Sequence, residues 1–140
     1  MPGITPFLWF DTQAEEAANF YVSVFPNSRI LSVNRMGGGI VVVNFELDGE
    51  RVMALNGGPH FRLTEAFSFS VECQDQAEID NYWSRLSAGG EESRCGWLKD
   101  QFGLSWQIVP ANIGKLLSNP RAGAALMQMQ KIDIAGLEQA

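Results

Sequence analysis

Apolar residues follow two rhythms along the chain, period two and period three to four, and the sequence of rhythms runs through twice. Residues 4–10 are short and aromatic with prolines near the start, which predicts a strand. Asp11 or Thr12 is placed to cap a helix over residues 14–25, where Ala14, Ala17, Ala18, Tyr21 and Phe25 recur at helical steps and Glu15, Glu16 and Asn19 face outward. Pro26-Asn27 stops it. Three strands follow at residues 29–35, 40–47 and 51–55, separated by Gly37-Gly38-Gly39 and by Asp48-Gly49. An Asp-Gly pair between β-branched runs predicts a tight hairpin. Gly57-Gly58-Pro59-His60 then breaks the pattern and opens an irregular crossing toward Ala66.

After the crossing the order begins again. Residues 67–73 alternate as a strand, Asp75 caps, and residues 77–88 read as a helix burying Ile79, Tyr82 or Trp83, and Leu86, ended by Gly89-Gly90. Gln13-Ala14-Glu15 matches Gln76-Ala77-Glu78 at a shift of 63 (76 − 13), which lays Phe20 over Trp83. Strands are predicted at residues 92–98 and 104–109, with Asp100-Gln101-Phe102-Gly103 as the turn between them. Beyond Pro110 the pattern is helical, over residues 113–117, 122–129 and a last turn at 134–137. Leu126, Met127 and Met129 read as core packing or a subunit contact. The predicted class is α+β, with two βαβββ modules and a helical tail.

With 140 residues, 46% of them hydrophobic, the chain can build a core without disulfide or metal staples, and it is not disordered. Sixteen acidic against ten basic side chains, a net charge of −6, argue against nucleic acid and anionic membranes, both of which require cationic surfaces. No basic leader precedes an apolar run and no apolar stretch matches a bilayer, so a cytoplasmic location is expected. Cys73 and Cys95 lack CxxC spacing and a surrounding histidine cluster, which reads as two reduced thiols rather than a zinc site.

The repeated βαβββ order resembles the vicinal oxygen chelate superfamily of glyoxalase I, bleomycin-resistance proteins and extradiol dioxygenases. Pro6-Phe7-Leu8-Trp9-Phe10-Asp11, Ala17-Ala18-Asn19-Phe20-Tyr21, Phe25-Pro26-Asn27-Ser28, Leu55-Asn56-Gly57-Gly58-Pro59-His60-Phe61 and the run from Gly96-Trp97-Leu98-Lys99-Asp100 to Trp106-Gln107 look like its PhnB-like branch, labelled 3-demethylubiquinone-9 3-methyltransferase-like. The resemblance spans the chain and implies one domain over residues 1–140, with module one at about 1–58, module two at about 66–110 and the tail at about 111–140. It further implies half-barrel sheets that enclose a pocket, and paired chains forming a homodimer. Metal-using relatives draw four inward ligands, mostly His and Glu, from the first and last strands of each module. Here Gln107 matches the last-strand glutamate, Asn56 ends the fourth strand, and the first and fifth strands offer only Thr5, Pro6, Ala66, Ser68 or Ser70. Neutral amides bring no charge to a transition ion, so neither a metal nor another cofactor is expected.

Asn56 and Gln107 each present a donor and an acceptor, suited either to a small polar ligand or to internal partners. Trp9, Phe69 and Trp97 add aromatic surface, and with the two amides they form the expected contact set for an unknown small organic molecule. His60 is the one side chain with an ordinary pKa near neutrality and is the catalytic candidate; its alternative is to fix the crossing through backbone hydrogen bonds. Cys95, on a predicted inner strand, reads as an inert small hydrophobe rather than a nucleophile. The leading reading is a small-molecule-binding protein without the usual metal ligands. The alternatives are a metal-dependent lyase, isomerase or dioxygenase, and a methyltransferase, although the only glycine triplet leads into a strand rather than from a strand into a helix.

Overall fold

A computed structural model describes residues 2–140, which divide into two compact units, one ending at Leu63 and one from Thr64 to Ala140. The first contains β1 (Phe7–Phe10), α1 (Ala14–Val24), β2 (Arg29–Arg35), β3 (Val41–Leu47) and β4 (Glu50–Asn56). The second contains β5 (Ser68–Cys73), α2 (Gln76–Ser87), β6 (Glu91–Glu92), β7 (Trp97–Lys99) and β8 (Ser105–Pro110), followed by α3 (Ile113–Leu116), α4 (Pro120–Leu126) and α5 (Ile134–Glu138). Each unit has a four-stranded mixed sheet of one connectivity, β1-β4-β3-β2 and β5-β8-β7-β6, in which the first strand runs parallel to the last and the other pairs are antiparallel. The predicted α+β class and paired βαβββ order are therefore present, as curled, open sheets.

Local chemistry explains the element ends. The prolines confine β1 to residues 7–10 of the predicted 4–10, with the Pro6 carbonyl still accepting from Met53 N. Asp48 and Gly49, at φ of 51° and 78°, close the β3–β4 hairpin in two residues between the paired Leu47 and Glu50. The capping expectation for α1 is corrected. Gln13 occupies the cap position without a side-chain bond, and Asn56 Oδ1 at the end of β4 instead accepts from Ala14 N at 2.7 Å. In α2 the expected Asp75 cap is present, accepting from Glu78 N at 2.9 Å.

The helix alignment also changes. Gly57 N and Ala111 N donate to the carbonyls of Phe10 and Cys73, which makes these two strand ends equivalent. Three residues then lead into α1 and two into α2. The buried faces consequently align Tyr21 with Trp83 and Val24 with Leu86, a shift of 62 (83 − 21), and the matched Ala14 and Ala77 are buried and exposed respectively. In the first unit α1 lays Ala14, Ala17, Ala18, Tyr21 and Val24 on a sheet face of Leu8, Phe10, Val43, Phe45, Val52 and Ala54. In the second, Ile79, Trp83 and Leu86 cover Leu98, Trp106 and Ile108.

The strand predicted at residues 92–98 is two short strands, because Cys95 and Gly96, at φ of 60° and 85°, turn the chain between them. Cys95 is thus on a turn and not on an inner strand; its N–H and that of Gly96 donate to Met129 and Gln130 carbonyls of the tail. Gly96 admits no side chain, since a Cβ there would stand 2.8 Å from Ile108 O and from Ile132 Cδ1. Ala122, Ile132 and Leu137 form the tail core, packed by Leu126 and Met129 among others, while Met127 is exposed. Gln76 fastens the tail from α2, donating to Ile132 O and accepting from Ile134 N, both at 2.9 Å.

The β7–β8 hairpin is organised by Asp100, a buried carboxyl that accepts from Phe102 N, Leu104 N and Trp106 Nε1 at 2.8, 3.1 and 2.8 Å. Cys73 is buried at the end of β5, and burial, followed by the charges of Glu78 and Asp75, pushes its thiol up to about 12.

Two outcomes follow from this packing. Asp100→Ala leaves three donors without their acceptor and is expected to lower unfolding free energy by roughly 3 kcal/mol in urea titrations. Alkylation by iodoacetamide at pH 8, mapped by mass spectrometry, is expected at the half-buried Cys95 and not at Cys73, which is buried and whose thiol is pushed up to about 12.

Candidate functional site

Alternation in a strand sends successive side chains to opposite faces, so the helix-covered face of each sheet fixes the composition of the other. In the first unit the face away from α1 carries Phe7 and Trp9 of β1, Arg51, Met53 and Leu55 of β4, and Val42 and Asn44 of β3. Trp9 is held there by its neighbours in the crossing. Its indole N–H donates to Gly58 O at 2.9 Å, and its ring meets Phe61 edge to face at 4.9 Å. Gly57 makes the approach possible, because a Cβ at that position would clash with Cζ2 of the Trp9 ring. Asn44 is buried on the same face, accepting from Arg51 Nη2 at 2.8 Å and donating to Ser32 Oγ at 3.2 Å.

The second unit has a more polar open face. The register across β5, β8 and β7 builds two rows, Ser68–Ser105–Lys99 and Ser70–Gln107–Trp97, opposite the face occupied by Phe69, Trp106 and Leu98. Gln107 Nε2 donates to Ser68 Oγ at 3.0 Å, and Trp97 is half-buried beside Gln107. Lys99 forms an ion pair with Glu65 of the crossing. The hydrogen bond from Lys99, reinforced by its charge, lowers the Glu65 pKa, and the same bond raises that of Lys99.

Of the contact residues expected from sequence, Trp97 and Gln107 are brought together as cross-strand neighbours. Trp9 lies on the open face of the first unit's sheet. Phe69 is on the opposite face from Gln107, with its ring 5.3 Å from that of Trp106 and 5.2 Å from that of Phe67. The Asn56 carbonyl is committed to the N-terminus of α1. His60 is exposed in the turn after β4, with its Cδ2 over Gly58, 3.5 Å from where a Cβ would stand. Sequence reasoning missed Ser105 and Lys99. The signal was present, since counting back two residues from Gln107 reaches Ser105 on the same face, and Lys99 lies within the Gly-Trp-Leu-Lys-Asp motif.

The donor set does not fit a transition-metal centre of the kind the fold family uses. The candidate strand positions offer a carboxamide bonded to a serine hydroxyl and a second carboxamide bonded to a helix terminus. Among the described residues no three His, Cys, Asp or Glu side chains converge. Neutral oxygen donors lack the charge and softness needed to hold zinc, iron or nickel tightly.

The family model described as 3-demethylubiquinone-9 3-methyltransferase matches residues 2–109. A PhnB protein from Bacillus cereus is 34% identical, with 77% of this chain and 99% of that chain covered and a TM-score of 0.71. The protein PA1353 from Pseudomonas aeruginosa is 17% identical over 79% of this chain and 98% of its own, at a TM-score of 0.63. The fosfomycin resistance protein FosX from Mesorhizobium loti is 14% identical over 85% of this chain and 99% of its own, at a TM-score of 0.64, a likeness of fold. No curated protein matches the chain. The family model over residues 2–109 and the 34% identical relative together settle the kinship: the chain belongs to the PhnB-like, 3-demethylubiquinone-9 3-methyltransferase family of the vicinal oxygen chelate superfamily.

Proposed function

We propose that the protein binds a small organic molecule on the open face of the second unit's sheet, without a transition metal. The observation that carries this reading is the juxtaposition of Trp97 and Gln107 on neighbouring strands, with Ser68 oriented by the Gln107 amide. An aromatic wall beside fixed donors and acceptors suits a planar, partly apolar ligand. Trp9, locked by Gly57, Gly58 and Phe61, offers a second rigid aromatic surface on the first unit. A cytoplasmic homodimer is the state in which we expect the protein to act.

The reaction in the family's description is not favoured by these residues. A methyl donor such as S-adenosylmethionine usually sits on a glycine-rich turn leading from a strand into a helix. Here those turns are Asp11-Thr12-Gln13 and Gln74-Asp75, while Gly37-Gly38-Gly39 links β2 to β3 with every φ positive. His60, exposed and with no carboxylate bonded to it among the described residues, has no partner that would position it as an acid or base.

Tryptophan fluorescence across a panel of planar organic compounds is expected to give saturable responses that weaken at least about tenfold in Gln107→Ala, the loss of roughly one buried hydrogen bond. Calorimetry with S-adenosylmethionine is expected to show no saturable heat. Saturable methyl-donor binding, or one equivalent of Zn, Fe, Mn or Ni per gently purified chain, would overturn the reading.

A further inference from the structure

Ser105 stands apart from the other buried polar groups of its unit. The residue is 1% exposed, and its hydroxyl has no hydrogen-bond partner among the described residues. Asp100, five positions earlier, uses both carboxyl oxygens for three N–H donors, and the Ser68 hydroxyl accepts from Gln107. A buried hydroxyl without a partner destabilises the fold, and an alanine of nearly the same shape would remove that penalty. Such a group makes physical sense where a ligand completes its bonding.

The register shows what surrounds it. Ser105 is paired with Ser68 on β5 and with Lys99 on β7, so its row presents a hydroxyl, a hydroxyl and an ammonium across three adjacent strands. Cross-strand partners stand about 5 Å apart, the spacing at which neighbouring side chains share one small group. Ser68 Oγ already accepts a bond, which leaves its proton to donate. On β6 the row ends in Glu91, the cross-strand partner of Lys99, and a second carboxylate, Glu65 of the irregular crossing, forms an ion pair with the Lys99 ammonium. The Glu65 side chain is 66% exposed, and exposed ion pairs exchange partners at little cost.

We propose that this row seats the oxyanion of a small organic acid, with the Ser105 and Ser68 hydroxyls donating to it, Lys99 neutralising it, and Glu65 occupying part of the place when no acid is bound. The next row, with Trp97 and Gln107, receives the body of the acid, so the inference rests on the binding reading above and names its ligand class. Trp97 selects a flat, apolar body; the Ser68–Ser105–Lys99 row selects a carboxylate at its end.

Benzoate and its neutral counterpart benzyl alcohol are the probes, titrated against the full chain by tryptophan fluorescence and calorimetry. Benzoate is expected to bind at least tenfold more tightly than benzyl alcohol. Ser105→Ala is expected to weaken benzoate at least tenfold while raising the melting temperature of the unliganded protein by roughly 2 °C. Glu65→Gln, which removes the carboxylate ion-paired with Lys99 and leaves Glu91 in place, is expected to strengthen benzoate several-fold. A Ser105→Ala protein that melts several degrees lower without probe would show the hydroxyl to be structural, and unchanged benzoate affinity in Ser105→Ala and Lys99→Met would remove the oxyanion seat. Equal binding of both probes, weakened by Gln107→Ala, would overturn the oxyanion seat alone. Absence of any response to either probe overturns the oxyanion seat, and the general binding reading falls with it only if the wider panel is also silent.

Discussion

The buried carboxyl of Asp100 is the constraint on which the second unit depends. It holds two backbone N–H groups of the turn that follows it and the indole N–H of Trp106, six residues on, so one side chain fixes both the bend and the ring that the next strand buries. A buried carboxyl is tolerable only when its oxygens are satisfied, and here the two oxygens share three donors. The backbone completes the turn: Asp100 N donates to Leu104 O, and Gly103 N to Asp100 O. With Trp106 set on the helix side, alternation commits Ser105 and Gln107 to the open face. The polarity of that face is therefore decided by a residue that does not lie on it.

The two units reach one topology by different local means. The first ends its opening strand three residues before its helix and obtains the cap from Asn56, forty-two positions away in sequence; the second uses two residues and the local Asp75. One fewer residue rotates the helix face by a position, and the packing compensates in size. Small Ala17 and Ala18 let α1 approach a sheet rich in bulky side chains, whereas α2 brings its own bulk in Ile79, Trp83 and Leu86. Repetition of the fold is preserved in the sheets and relaxed in the helices, where side-chain volume can be traded across an interface.

Much of this was legible in the sequence because hydrophobic period and turn chemistry act locally. Asp48-Gly49, the glycine triplet and Asp75 announced their turns and cap, and the order of elements followed. The failures share a physical origin in partners distant along the chain. The cap of α1 is supplied from β4, and the break between β6 and β7 is sustained by backbone bonds to the tail at Met129 and Gln130. The matched Gln-Ala-Glu triplets aligned letters rather than faces, since a connection one residue shorter is invisible to local identity. The candidate site was half legible. Trp97 and Gln107 were found as residue types, but their pairing, and the row containing Ser105, required the register of three strands.

The helical tail lies beyond the part of the chain that the family model matches, yet the second unit is built around it. Gly96 has lost all room for a side chain to Ile132, and the Gln76 amide spends both its ends on the backbone on either side of Asp133. Through these contacts the matched part of the second unit and the tail are packed against each other. Trimming the protein to residues 2–109 would strip the Gln76 amide and the Cys95 and Gly96 N–H groups of their tail partners and uncover the buried face beside Gly96.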